Sequence, residues 1–208
     1  NGELRVFREP RHDEKFVIGA DVSLGVRQDR SCAIVMDSER EVVATYFNDN
    51  IDPTRYGELL FYLGRHYNHA LLAVESNSIG VASLAKLKAM NYPNLYYQTN
   101  LAKLENDEGE RPGFKTSAST KPMIIGNLKN AIHNREIRLY DPLVIDELKG
   151  YILTDAGKTE AMPGSHDDSV MALAITMEAY RTHQHRLSAT RVGFHSMPNT
   201  HIEDTQWF

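Results

Sequence analysis

Of 208 residues only one, Cys32, is a cysteine, so no internal disulfide can form, and without a cysteine pair a thiolate zinc site is excluded too. Nothing in this usage points to redox chemistry. No run of about 18 apolar residues is present, and the N-terminal residues show neither a charged start before an apolar core nor a small-residue cleavage site. A membrane span and a secretory signal are therefore unsupported, and a soluble intracellular protein is expected. An excess of positive charge is missing as well: 23 basic residues stand against 28 acidic ones, a formal charge of -5. That excludes a chain-wide electrostatic grip on nucleic acid but leaves a local basic face open. What is present, 41% hydrophobic and 25% charged residues, suits one globular domain or at most two small ones. No internal repeat is visible.

Apolar runs closed by an acid dominate the first half. KFVIGAD (Lys15 to Asp21), SCAIVM (Ser31 to Met36) and EVVATYF (Glu41 to Phe47) read as three strands in antiparallel succession, with turn residues Asp37 and Ser38 between the last two. Asp52-Pro53 opens a helix to about Asn68, with Tyr56, Leu59, Leu60 and Leu63 at helical spacing. ALLAVE (Ala70 to Glu75) is a fourth buried strand, again closed by an acid, and Ile79 to Met90 is a helix that fits a parallel crossover. A short strand is expected at Leu95 to Gln98, helices at Met123 to Asn134 and Pro142 to Gly150, and a strand-like segment at Ile137 to Tyr140. The last helix opens at His166-Asp167-Asp168-Ser169 and runs to about Arg181. This order describes a mixed α/β sheet covered on both faces. The polar stretch between Tyr97 and Lys121, with Gly109, Pro112 and Gly113, is too long for a connector and reads as an inserted β-hairpin. Residues 1–15 read as a polar linker and residues 183–208 as a tail.

Three acidic points carry the chemistry: Asp21 and Glu75 at the ends of buried strands, and Asp167 with Asp168 at the start of an apolar helix. A carboxylate beside an apolar core must be protonated, paired or metal-bound. Any one of the three alone reads equally as a turn former or helix cap, Asp167 above all. If the first and fourth strands are neighbours, all three converge. Converging like charges are most simply reconciled by a hard divalent cation, Mg²⁺ or Mn²⁺. Basic residues gather between Arg111 and Arg138, where Arg111, Lys115, Lys121 and Lys129 are candidates for phosphate contacts without sequence preference. The acidic run Glu105, Asp107, Glu108 and Glu110 would repel DNA and is expected at a loop tip.

The segments GADVSLGVRQDRSCAIV from Gly19, VESNSIG from Val74, GFKTSASTKPMIIGNLKNAI from Gly113 and GSHDDSVMALAIT from Gly164 together resemble the nuclease domain of the large terminase subunit of tailed double-stranded DNA bacteriophages, in the RNase H-like superfamily. The resemblance spans about Phe16 to Arg181. It implies an RNase H-like nuclease domain over residues 16–182, preceded at 1–15 by a linker from an N-terminal packaging ATPase; the Walker motif of such a motor does not occur here. It further implies a metal-dependent endonuclease that cuts concatemeric viral DNA during genome packaging in the host cell cytoplasm. The implied partners are double-stranded DNA, the ATPase domain, the portal and the small terminase subunit. On this resemblance Asp21 is the central bridging ligand, Glu75 the second acid and Asp168 the third, with Asp167 an adjacent candidate because neighbouring side chains on a helix diverge by about 100°. Asp29 matches an accessory acid, His166 would orient water or bind metal, and Asn77 would hold Glu75 or a phosphate. The reaction implied is in-line attack of water on a phosphodiester with two cations about 3.5 to 4 Å apart. Two related readings share these residues: a Holliday-junction resolvase-like or transposase-like nuclease, and a noncatalytic domain docking a motor onto a portal.

Overall fold

The computed structural model describes residues 3–24, 30–99, 110–153, 159–161 and 166–188. Asp29, the acidic run at 105, 107 and 108, and the tail from 189 lie outside the described residues. Among the described residues no helix is long and apolar enough to cross a membrane.

Five strands, β1 (Glu3–Val6), β2 (Phe16–Asp21), β3 (Ser31–Asp37), β4 (Val42–Asn48) and β5 (Leu71–Val74), form the central sheet in the order β1-β4-β3-β2-β5. The expected meander is there: β2 pairs antiparallel with β3 and β3 with β4. The return through helix α1 (Pro53–His66) sets β5 parallel to β2, with Ala20 opposite Val74. The Asp52 carboxylate caps α1 by accepting from the N–H groups of Thr54 and Arg55 at 2.9 and 3.2 Å, and Pro53 fills the first turn, where an N–H would have no helical partner. Helix α2 (Gly80–Ala89) follows β5 and packs with α1 on one face of the sheet, where Ile18, Ala20, Leu72 and Val74 meet Tyr56, Leu60 and Leu87.

Because strand side chains alternate, Val17, Gly19 and Asp21 point to the opposite face. There Val17, Ile34, Leu71 and Ala73 pack with helices α3 (Thr120–His133), α4 (Pro142–Lys149) and α5 (Asp168–Ser188). Every residue of α5 from Asp168 to Tyr180 is buried, as a helix apolar all round requires. Gly19 is what lets α5 lie directly on β2. A Cβ there would fall 2.3 Å from Thr176 Oγ1 and 2.4 Å from the Ala172 carbonyl. With Ala172 over Gly19, Asp168 one turn earlier (about 6 Å along the helix) comes over Asp21, two residues (about 6.6 Å) further along the strand.

Four local readings of the sequence are corrected. Residues 3–6, expected within a linker, form an edge strand on β4, with Glu3 opposite Phe47; the alternating run ELRV is only four residues long and mostly exposed. Ile137 to Tyr140 is not a strand; it contributes a single parallel bridge, Glu41 with Arg138. A hairpin of β8 (Tyr151–Leu153) and β9 (Thr159–Ala161) follows α4 and was not anticipated. Helix α5 continues past Arg181 to Ser188 through a non-helical His183, held by the buried Leu187 and by the His183 ring against Tyr96 at 5.2 Å. The expected inserted hairpin is present as β6 (Tyr97–Thr99) with β7 (Glu110–Pro112). Gly113 leaves it with φ +80, where a Cβ would sit 2.5 Å from the Val74 carbonyl, and Phe114 N–H then donates to that carbonyl at 2.8 Å.

Candidate active site

Parallel strands end together, and crevices beyond their carboxyl ends are where open α/β sheets bind ligands. Asp21 closes β2, while Glu75 follows β5 immediately and extends the ladder through its N–H to the Ala20 carbonyl at 2.8 Å. Glu75 shares the side-chain parity of Leu71 and Ala73, so both acids face α5. The start of α5 brings Asp168, and the sheet has gathered three points far apart in sequence.

Electrostatics binds the cluster into one unit. Burial pushes the Asp21 carboxyl well above the ordinary carboxylate range, and it is driven further by the charge of Glu75, a hydrogen bond with Glu75, and the charges of Asp168 and Asp167. Asp168 is raised to about 6, mainly by burial and also by Glu147, against the lowering effect of Arg30 and His166. Asn77 donates to Glu75 Oε2 at 2.6 Å, while its own oxygen accepts from the N–H groups of Ile79 and Gly80. One amide thus orients the acid and starts α2.

Asp167 and Asp168 diverge as helix geometry demands. Asp168 is buried beside Asp21; Asp167 is half-exposed and accepts from Lys121 Nζ at 3.3 Å. Burial works to lower the Lys121 pKa, but Asp167 and Tyr151 outweigh it, so this ammonium is firmly charged at the rim. His166 is exposed, its Nδ1 3.7 Å from Asp168 Oδ2. Lys115 follows Phe114, which bridges to Glu75, and so stands at the same end of the sheet. Arg111 is exposed on β7. Lys129 is not at the acids: two turns down α3 from Lys121, it lines an apolar groove between α3 and α4.

Two residues of the site were missed in the sequence, Arg30 and Glu147. Glu147 is buried on α4 and accepts from Ser169 N–H at 2.9 Å, from Ser169 Oγ at 2.5 Å and from Arg30 Nη2. Arg30 also presents its backbone N–H to Asp168 Oδ2 at 3.2 Å and its Nε to the same oxygen at 3.7 Å. A signal existed for Glu147, an acid three residues after Val144 on the apolar stripe of its helix.

Among the described residues no three His, Cys, Asp or Glu side chains are arranged so as to hold a metal ion together. Asp21 and Glu75 lie side by side, and Asp168 accepts from the Arg30 backbone N–H. The donor chemistry nonetheless fits a hard divalent cation: the gathered side chains offer carboxylate oxygens, and the Asp21 carboxyl pays a large desolvation penalty that a cation would relieve.

No protein-family model matches the sequence, and no curated protein matches it. Solved structures do. The large terminase nuclease from thermophilic phage G20c with bound magnesium superposes with a TM-score of 0.67 at 23% identity, covering 84% of this chain and 86% of that one. The same nuclease with bound cobalt gives 0.68 at 22% identity, with coverage of 84% and 86%. The large terminase nuclease domain of Thermus phage P74-26 gives 0.65 at 24% identity, with 83% of each chain covered. The chain shares the fold of these large terminase nuclease domains.

Proposed function

We propose that this chain is the nuclease domain of a phage large terminase subunit, a divalent-metal-dependent endonuclease that hydrolyses double-stranded DNA with little sequence preference and cuts concatemeric genomes during packaging. One observation carries the reading: Asp21, with Glu75 and the Asp167/Asp168 pair around it, at the carboxyl ends of parallel strands on this fold. Asp21, Glu75 and Asp168 would hold Mg²⁺ or Mn²⁺, two ions in the full arrangement, with His166 and Asp167 at the margin. A cation bound there supplies Lewis-acid polarisation of the phosphate and lowers the pKa of water at neutral pH. Asp21 would serve as a ligand through its carboxylate oxygens, and Asn77 keeps Glu75 turned inward. Lys121 neutralises Asp167 and, with Lys115 and Arg111, lowers the repulsion an incoming phosphodiester meets at an acidic pocket. The oxygen of water then bonds to phosphorus as the bond to the 3′ oxygen breaks in line. The packaging ATPase, portal and small terminase subunit are the partners this role requires.

The test is supercoiled plasmid incubated with purified protein and Mn²⁺ or Mg²⁺. Nicked and then linear product is expected, abolished by EDTA and by Asp168→Asn with an unchanged circular dichroism spectrum. Linear duplex and a four-way junction should be cut comparably; cleavage confined to the junction favours a resolvase, and full cleavage by the Asp168 variant overturns the mechanism.

A further inference from the structure

Resting on the metal-centre reading above, a second layer of chemistry lies behind Asp168. The Arg30 guanidinium sits between two buried acids, bonded through Nη2 to Glu147 Oε1 while its Nε stands 3.7 Å from Asp168 Oδ2, beyond hydrogen-bond range. Nε is buried and donates to nothing among the described residues. The plane of the guanidinium is further held 5.5 Å over the Phe47 ring. Glu147 is fixed in turn by the Ser169 N–H and hydroxyl, which tie it to the first turn of α5. The arginine is thus an ion-pair neighbour of Asp168 that stops short of a side-chain hydrogen bond to it.

We propose that Arg30 is the internal counter-ion of the acid cluster and that Glu147 is a positioning residue, which keeps the guanidinium off Asp168 and so leaves that carboxylate open to a divalent cation. The two members of one ion pair therefore act in opposite directions. Removing the Arg30 charge strengthens cation binding; releasing Arg30 from Glu147 lets Nε close onto Asp168 and weakens it. The backbone N–H of Arg30 holds Asp168 Oδ2 in either case, so Asp168 keeps its orientation.

Mn²⁺ alone is the probe, titrated into the intact chain and followed by loss of the free-ion electron paramagnetic resonance signal. Arg30→Gln is expected to bind about tenfold more tightly than the unaltered chain, and Glu147→Gln about tenfold more weakly. The double variant should bind as tightly as Arg30→Gln alone, because Glu147 acts only through Arg30, and Arg30→Lys, which keeps the charge, should stay near the unaltered chain. A merely structural pair predicts that both single variants weaken binding, and that outcome, or no change in either, overturns the inference. Should Glu147→Gln fail to fold, Arg30→Gln against Arg30→Lys decides, since only loss of charge tightens binding. Absence of Mn²⁺ binding by the unaltered chain instead overturns the metal-centre reading.

Discussion

Two buried acids at helix starts show what separates structure from chemistry in this molecule. Asp141, fully buried ahead of α4, is met by Arg5 Nη1 at 2.7 Å, Thr45 Oγ1 at 2.5 Å and the Leu143 N–H at 2.9 Å. Asp168, also buried at the start of α5, meets one backbone N–H at 3.2 Å, has Arg30 Nε and His166 Nδ1 no nearer than 3.7 Å, and looks across at Asp21, which faces another carboxyl. Asp37 follows the first pattern, with Arg8 and two N–H groups. Burial alone therefore marks nothing. Acids supplied with donors hold strands and helices together, whereas acids supplied with other acids store an electrostatic deficit that a cation can relieve.

The contrast is strongest at Asp21 and Asp141. Asp21→Asn should lower metal-dependent cleavage by about a thousandfold, the several kcal/mol a cation site supplies, while the melting temperature holds or rises because a crowded charge is removed. A destabilised Asp21 variant would erase the distinction. Asp141→Ala should do the reverse: about 3 kcal/mol less stable in denaturant titration, with Arg5 left unpaired and a helix uncapped, yet active at low temperature. Inactive but stable protein would contradict it.

Acidity sharpens the same comparison. Asp21 and Asp168 titrate above ordinary carboxyls, so between about pH 4 and 6 the folded chain retains protons there that the unfolded chain has released. The stability these groups contribute to the metal-free chain is thus present at low pH and lost as pH rises through about 6 for Asp168. Mn²⁺ competes with those protons. The rise in melting temperature it causes should be larger at pH 7.5 than at pH 5.5, and equal rises would show that the acids are not its ligands. The smallest effect is expected for Asn77→Ala, about tenfold weaker Mn²⁺ binding by calorimetry; unchanged affinity would reduce Asn77 to a turn residue.

Much of this was legible because β2 and β5 are buried on both faces and each apolar run stops at an acid. The meeting of Asp21 and Glu75 depended on β2 and β5 being neighbours, a condition the strand pattern does not decide and the parallel register supplies. What escaped depends on partners remote in sequence. Glu147 lies on the apolar stripe of its helix, but its role depends on Ser169 and Arg30 brought to it, and Arg30, just ahead of β3, has nothing local to mark it. Edge strand β1 alternates polar and apolar residues over only four positions, and with Leu4 and Val6 exposed it is held by main-chain pairing to β4, which so short a run does not announce. Lys121 and Lys129 read alike in the sequence, yet only the first lies at the helix end that meets Asp167.

The connections flanking the hairpin have a consequence for assembly. Tyr96 and Ser76 donate to the Leu72 and Phe114 carbonyls at 2.9 and 2.8 Å, Leu72 donates to the Asn94 carbonyl at 2.9 Å, and Phe114 donates to Val74 at 2.8 Å, so the Leu72 peptide groups and the Val74 carbonyl on the outer flank of β5 are spent within the molecule. A foreign strand has no ladder to join on that flank. Intermolecular growth of the sheet is left to the margin beside β1, on the far side from the acids.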